Sequence, residues 1–138
     1  MCLKNSFILL KSTAPGVSEI LCLAVGNPTR KKIQQILFKY TQEDYYLIGC
    51  FSNNQLQGIM GLKMEGPGKA IIQHLAVFKR YQNQGIGRAL IQEAIKRFHL
   101  NLLKAETDEE SVNFYRKCGF STAPFKGPYG KRFKCTLE

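Results

Sequence analysis

The segment from Leu75 to Leu90 constrains the fold of this chain more than any other. An apolar run that ends at Val77 predicts a strand, and the apolar positions that recur from Ile86 onwards predict an amphipathic helix. Between the two lies a polar turn in which Gly85 and Gly87 let the backbone curl and approach a ligand without a Cβ in the way. A strand, a glycine-bearing turn and a helix in this order are typical of a site that binds phosphate.

The chemistry of this turn favours an anion. The first N–H groups of a helix have no partner within the helix, and the helix dipole adds positive potential at the same end. Lys79, Arg80 and Arg88 add positive charge nearby. A dinucleotide-binding turn would need a third glycine where Leu90 stands, and a Walker-type loop would need Gly-Lys-Ser/Thr, which is absent. The remaining interpretation is a longer loop that wraps one pyrophosphate.

The whole chain, residues 1–138, is predicted to form a single α/β domain with a mixed sheet, in the order β-α-α-β-β-β-α-β-α-β-β. Its hydrophobic fraction of 44% and charged fraction of 22% are those of a globular protein. The predicted strands are 7–10, 45–51, 55–64, 70–77, 100–105, 120–125 and 132–137. Helices are predicted to follow Pro15-Gly16, to start at an Asn27 cap, to begin at the second glycine of the turn (Gly87), and to run from an Asp108 cap to Cys118 with Gly119 as the stop.

Composition limits the partners and the compartment. Lys and Arg total 20 against 10 for Asp and Glu, so the net charge of +10 favours a polyanion, whether nucleic acid, an acidic membrane surface or a phosphorylated cofactor. The five cysteines, Cys2 among them, form no C-x-x-C pair, which favours reduced thiols and a cytoplasmic location. The apolar run 7–10 is too short for a signal peptide or a membrane span. His74 and His99 have no metal-site spacing to any cysteine, so we expect no metal.

The hexapeptide 82–87, Gln-Asn-Gln-Gly-Ile-Gly, resembles the Q/R-x-x-G-x-G/A signature of the GCN5-related N-acetyltransferases, the GNAT superfamily. The flanking runs 75–77 and 88–91 match the family as well. The run 111–120 looks like the family's second cofactor-facing helix, with its usual Phe-Tyr and Gly-Phe. The predicted order of elements agrees with the family from end to end.

The resemblance implies that acetyl-CoA is the cosubstrate and that strands 70–77 and 100–105 splay apart around the thioester. In this interpretation the backbone of Leu75 and Val77 binds the pantetheine arm, and the N–H groups from Gln84 to Arg88 hold the pyrophosphate. The implied cofactor-binding residues are Leu75, Ala76, Val77, Gln82, Asn83, Gln84, Gly85, Ile86, Gly87, Arg88 and Tyr115.

The implied reaction is direct transfer of the acetyl group to a primary amine of a small molecule or peptide. Tyr115 is the candidate acid for the thiolate, because a phenol keeps its proton at neutral pH; the alternative is that it only packs and hydrogen-bonds the cofactor. Strand alternation predicts that side chains 71, 73 and 75 share one face. None is a base, which leaves Gln73 to orient a water, and His74 on the other face is interpreted as structural.

Several alternatives stay open. Glu65 and Glu106 are possible remote bases, and Glu109 stands where the family often has Asn. A GNAT-like module that binds acyl-CoA without catalysis would also fit the missing base. A nucleic-acid binder would use the basic C-terminal run 125–134, whose aromatic residues interleave with Lys and Arg, although a solvated hairpin explains the same run. The acceptor carries no recognisable motif, and the chain is expected to be a monomer or a homodimer.

Overall fold

The computed structural model describes residues 5–138, so Cys2 lies outside the described residues. Its strands are β1 (Ser6–Leu10), β2 (Tyr45–Ser52), β3 (Gln55–Met64), β4 (Lys69–Val77), β5 (Leu102–Thr107), β6 (Ser121–Gly127) and β7 (Gly130–Leu137). Its α-helices are α1 (Val17–Leu21), α2 (Arg30–Lys39), α3 (Ile86–Arg97) and α4 (Val112–Lys117). The strands form one mixed sheet in the order β1-β2-β3-β4-β5-β7-β6. The predicted fold class and element order are confirmed.

Helices cover both faces of the sheet, and each face has its own apolar cluster. On one face α3 and α4 bury a large cluster that includes Leu90, Met60 and Tyr115. On the other face α1 and α2 bury a smaller cluster that includes Ile20 and Ile59. Fully burying an aliphatic side chain of this size stabilises the fold by about 1.5–3 kcal/mol. The two clusters therefore hold the middle strands rigidly between the helices.

The predicted splay lies between β4 and β5. These parallel strands pair only at Lys69↔Leu102, Ala70↔Leu103 and Ile71↔Lys104. Beyond that point β4 continues to Val77 and β5 to Thr107 without pairing to each other. The sheet thus has a gap in its middle, between the carboxyl-terminal halves of the two strands.

A β-bulge at Gln73 overturns the prediction that side chains 71, 73 and 75 share one face. Opposite β3, Leu62 pairs with Ile72 and Gly61 pairs with His74, so Gln73 has no partner residue. The extra residue shifts the alternation by one position. Ile72 and Leu75, three positions apart, consequently both contact the α3/α4 cluster. Residues 71 and 75 therefore point to opposite faces of the sheet.

Two predicted helix caps were also wrong. Asn27 has a positive φ of 51°, and the N-cap of α2 is Thr29, whose side chain accepts a hydrogen bond from the Lys32 N–H at 3.1 Å. Asp108 stabilises the turn before α4 by accepting from the Ser111 N–H at 3.0 Å, and α4 begins only at Val112. Asn, Asp, Ser and Thr have similar preferences for the N-cap position, so residue type alone does not decide which of several neighbouring residues caps a helix.

The strand after α3 begins two residues later than predicted. The Leu100 N–H still donates to the Ile95 carbonyl at 2.9 Å, so residue 100 belongs to the end of α3 and not yet to the strand. Gly119, with a φ of +95°, follows the end of α4 in the left-handed conformation expected of a helix stop. No helix within residues 5–138 has the length and apolar character needed to cross a membrane.

Candidate functional site

The connection from β4 to α3 curls sharply at the carboxyl end of β4. The side-chain amide of Gln82 donates to the Val77 carbonyl at 3.0 Å and ties the start of the turn to the end of the strand. Asn83 and Gly85 both take left-handed conformations, with φ of 64° and 83°. The amides that follow Gly85 therefore lie in the first turn of α3, at the end of the helix where its dipole is positive.

The backbone N–H groups from Asn83 to Arg88 donate no hydrogen bond to any described residue. The preceding Gln82 N–H donates to Lys79 at 3.2 Å, and the following Ala89 N–H donates to Gly85 at 2.9 Å. The unpaired donors are therefore consecutive and span the turn and the first turn of α3. Such a run of free amides at a helix N-terminus is a ready anion site.

The two glycines of the turn have different physical reasons. A Cβ added to Gly85 would meet nothing within 4 Å, so this position needs glycine for its left-handed backbone, with φ of +83°. A Cβ added to Gly87 would come within 2.9 Å of the Phe114 ring. Glycine at 87 thus lets α4 pack against the start of α3. Phe114 was not singled out in the sequence, although it forms part of the Phe-Tyr pair.

A second contact fixes the same two helices. The Arg88 guanidinium donates a hydrogen bond to the Lys117 carbonyl, near the end of α4. Arg88 therefore has a structural partner on α4 besides its backbone N–H in the turn. Together with the Gly87–Phe114 packing, this bond holds the turn against the helix that carries Tyr115.

Tyr115 lies in α4 and is only 7% exposed. Its ring packs edge-on against Phe114 and Phe120, with centroid separations of 5.1 and 5.2 Å. Burial, together with the nearby thiols of Cys135 and Cys118, raises the pKa of Tyr115 above its ordinary value. The phenol is therefore protonated at neutral pH. No described residue accepts or donates a hydrogen bond at its side chain, so the hydroxyl is available to a ligand.

His74, which is half-buried, pairs with the buried Tyr40 on the α1/α2 side of the sheet. The Tyr40 hydroxyl lies 2.6 Å from Nδ1 of His74 and directly over Gly61, where a Cβ would collide with the phenol. Burial, and secondarily the charge of Lys39, lowers the pKa of His74 to about 4. The imidazole is neutral and packed, as the structural interpretation of His74 requires.

The structure brings most of the sequence-predicted site residues into one group on the α3/α4 side of the sheet. The turn residues and Tyr115 meet through α3 and α4, and Leu75 and Val77 pack against the same α3/α4 cluster. Gln73 stands apart at the bulge and is half-buried, and its side-chain amide makes no hydrogen bond to a described residue. Within the described part of the chain, no group of three or more His, Cys, Asp or Glu side chains is arranged to hold a metal ion.

Known structures share this architecture. A GNAT family acetyltransferase from Elizabethkingia anophelis, solved with acetyl-CoA bound, is 21% identical with a TM-score of 0.74 and 97% coverage of each chain. The ribosomal-protein-S18-alanine N-acetyltransferase from Escherichia coli is 21% identical, with a TM-score of 0.77 and coverage of 97% of this chain and 93% of that one. A spermidine N-acetyltransferase mutant from Vibrio cholerae is 14% identical, with a TM-score of 0.71 and coverages of 96% and 92%.

These structural likenesses, at 14–21% identity, show a common fold. The family model for the acetyltransferase (GNAT) family matches residues 14–120, which includes the turn, α3, the gap and α4. Since that match spans most of the chain, this protein belongs to the GNAT family of acetyltransferases.

Proposed function

We propose that this protein transfers the acetyl group of acetyl-CoA directly to a primary amine of a small molecule or peptide. The observation that carries the proposal is the run of unpaired backbone amides from Asn83 to Arg88 at the start of α3. A pyrophosphate carries enough oxygens to accept from such a run, and the helix dipole favours its charge. The acetyl-CoA bound in the Elizabethkingia structure of the same fold supports this choice of donor.

The pantetheine arm would lie along β4 inside the gap. Past Ile71, the edge of β4 that faces β5 has no strand partner among the described residues. Amides of an extended arm can pair with such an edge as an added strand. In this arrangement Leu75 and Val77 supply backbone groups, Ala76 spaces them, and the arm leads from the pyrophosphate turn into the gap. The remaining cofactor contacts are Gln82, Asn83, Gln84, Gly85, Ile86, Gly87, Arg88 and Tyr115.

The chemical step would join the amine nitrogen to the acetyl carbon and break the carbon–sulfur bond. A backbone N–H of β4 near Leu75 or Val77 would polarise the thioester carbonyl. The amine would lose its proton to a water oriented by Gln73, and the leaving sulfur would gain a proton from the Tyr115 hydroxyl. Because burial raises the pKa of Tyr115, the phenol holds its proton at neutral pH before the transfer. After giving that proton to the sulfur, Tyr115 would regain one from solvent, which also receives the proton that the amine released.

Acetyl-CoA binding by a matched pair of glycine variants tests the proposal. Gly85→Ala and Gly66→Ala each place a Cβ at a positive φ with open space around it, so the backbone strain is similar. We expect acetyl-CoA at 100 times its Kd to stabilise the wild-type protein and the Gly66 variant by about 2.7 kcal/mol. The Gly85 variant should lose most of that stabilisation. Equal stabilisation of both variants, or none in the wild type, would refute the pyrophosphate site.

A non-catalytic acyl-CoA sensor is the second candidate. It is favoured by the half-buried amide of Gln73 at the bulge, where a carboxylate or imidazole would serve as a base. Release of free coenzyme A thiol in the presence of a panel of primary amines separates the candidates. Release that depends on the amine indicates transfer, whereas binding without release with every amine indicates a sensor.

We further propose that the protein acts in a reducing compartment such as the cytoplasm. The four cysteines within residues 5–138 are free thiols, and Cys50 and Cys135 are buried. Burial raises the pKa of the Cys50 thiol to about 11, which keeps it protonated and unreactive. Packed, protonated thiols are typical of proteins that do not rely on disulfides.

A further inference from the structure

One half of the α1/α2 face of the sheet is exposed. Over β3 and β4 this face is buried under α1, with Ile59 and Ala76 in the α1/α2 cluster. Over β5 and β7 the corresponding side chains of Lys104, Glu106 and Lys134 are exposed, and that of Arg132 is half-buried. The sheet therefore presents side chains directly to solvent on the far side of the gap.

Strand register collects the charges of this exposed half on one face. Glu106 pairs with Lys134, Lys104 pairs with Thr136, and Phe125 pairs with Arg132. Directly opposed residues of antiparallel strands point to the same side. The intervening residues Ala105, Phe133 and Cys135 are buried under α4 on the opposite side. We call Lys104, Arg132 and Lys134, with Glu106 between them, the open basic face.

The three cations of the open basic face are not neutralised internally. The ion pairs within residues 5–138 are Arg97–Glu93 and Lys131–Glu109, and neither involves this face. Lys134 Nζ lies 5.4 Å from the centroid of the Phe125 ring, a contact that leaves its charge in place. Asp108 follows β5 and lines the same pocket as Arg132. Against the three positive groups stand the carboxylates of Glu106 and Asp108, and the remaining net positive charge attracts an anion.

The open basic face borders the gap. Ile71↔Lys104 is the last pair between β4 and β5, so Lys104 stands where the two strands part. Glu106 lies two residues further along β5, on the same side and beside the unpaired part of the strand. The pyrophosphate turn, α3 and α4 occupy the opposite side. An acceptor that approaches the thioester from the side free of cofactor therefore passes over this face.

We propose that the open basic face selects acceptor amines that also carry a carboxylate. The inference rests on the acetyl transfer proposed above. The carboxylate of the acceptor would lie against Lys104, Arg132 and Lys134, and its ammonium group would lie toward Glu106 beside the gap. An acceptor with both groups complements the three cations and the carboxylate of Glu106, whereas a polyamine would meet three like charges.

The test compares acceptors that differ only in the carboxylate. One pair is tyrosine and tyramine, and the other is a dipeptide with a free or an amidated carboxyl end. We expect kcat/KM to favour the carboxylated member by about tenfold at low ionic strength, since each exposed charge contact contributes up to roughly fivefold. The preference should shrink at high salt because these contacts are solvent-exposed.

Charge-removing variants assign the preference to this face. In the Lys104→Gln, Arg132→Gln, Lys134→Gln triple variant, the carboxylated and uncharged acceptors should become equal within about twofold, through KM. The matched control is Lys96→Gln, an exposed lysine on α3 on the other side of the sheet. It should keep the wild-type preference. Melting temperatures of all variants confirm that they are folded.

The outcomes separate the failure of this inference from that of the proposed function. Amine acetylation without preference for carboxylated acceptors, or a preference lost equally in the Lys96 control, overturns the inference alone. Acetyl-CoA binding without acetylation of any amine overturns both. Salt-sensitive binding of a single-stranded oligonucleotide that the triple variant abolishes, with no acceptor preference, assigns the face to nucleic acid and also overturns the inference.

Discussion

In the functions proposed above, the two sides of the gap between β4 and β5 would recognise their ligands with different parts of the chain. On the cofactor side, the recognising groups are main-chain amides of the turn before α3. Three contacts hold that turn in place: Gln82 with Val77, Gly87 with Phe114, and Arg88 with Lys117. On the acceptor side, exposed side chains stand on bare strands. Backbone recognition suits a ligand that never changes, because it is fixed by the fold, whereas exposed side chains can be exchanged without disturbing the fold.

The largest expected effect breaks the cofactor side. Gly87→Val would drive a branched side chain into the Phe114 ring, which already lies 2.9 Å from the position of a Cβ. Because α4 must move, we expect a loss of about 1–3 kcal/mol of unfolding free energy. Acetyl-CoA affinity should fall at least about tenfold, which corresponds to a loss of roughly 1.4 kcal/mol of binding free energy. Chemical denaturation and calorimetric titration measure the two effects.

A compensating substitution sharpens that prediction. Gly87→Ala should show a milder loss, and adding Phe114→Leu should restore part of the affinity because the colliding ring atoms are gone. Phe114→Leu alone is the control for the lost ring packing. If the double variant is no better than Gly87→Ala, the turn depends on glycine at 87 for a reason other than contact with α4.

The second prediction concerns the chemistry between the two sides. Tyr115→Phe removes only the hydroxyl, which makes no hydrogen bond to a described residue. We expect kcat to fall by up to about 10²-fold if the phenol protonates the leaving sulfur. Acetyl-CoA affinity and melting temperature should change little. Unchanged kcat would reduce Tyr115 to a packing residue, and a matched loss of affinity would make it a cofactor contact.

The third prediction concerns the pair of Tyr40 and the half-buried His74, which lies on the part of the sheet that α1 and α2 cover. Burial lowers the pKa of His74 from 6.5 to about 4, so between these values the unfolded chain binds more protons than the folded protein. The free energy of unfolding should therefore fall as the pH drops from about 6.5 to about 4. After allowance for partial exposure, the His74 share is about 2 kcal/mol.

Replacing the histidine tests the origin of that pH dependence. His74→Gln should flatten the fall of unfolding free energy between these pH values, whatever its effect at neutral pH. His99→Gln, at an exposed position, is the control. Denaturant titrations across the pH range provide the measurement. An equally steep fall in the His74 variant would assign the acid sensitivity to other groups.

The same contrast explains what could be predicted from the sequence. The cofactor side is local in sequence: a strand, a turn with Gly85 in a left-handed conformation, and a helix all lie within one short run. The open basic face is not local, since Lys104 and Arg132 are joined only by strand register. The bulge at Gln73 depends on the partner strand, where Gly61 makes room for Tyr40. The glycine at 61 is a local sign of a bulge or a close backbone approach on β3, but nothing in β4 marks Gln73 as the extra residue, and the strand register has no local signal.

The smallest expected effect tests whether the acceptor side is exchangeable. Single substitutions Lys104→Gln and Lys134→Gln should change the unfolding free energy by less than about 0.5 kcal/mol, because exposed charges without ion pairs contribute little to stability. This change is small beside that of Gly87→Val on the cofactor side. A loss as large as that of the Gly87 variant would mean that these lysines hold the strands together. The open face would then be part of the scaffold, and acceptor choice would have to depend on other residues.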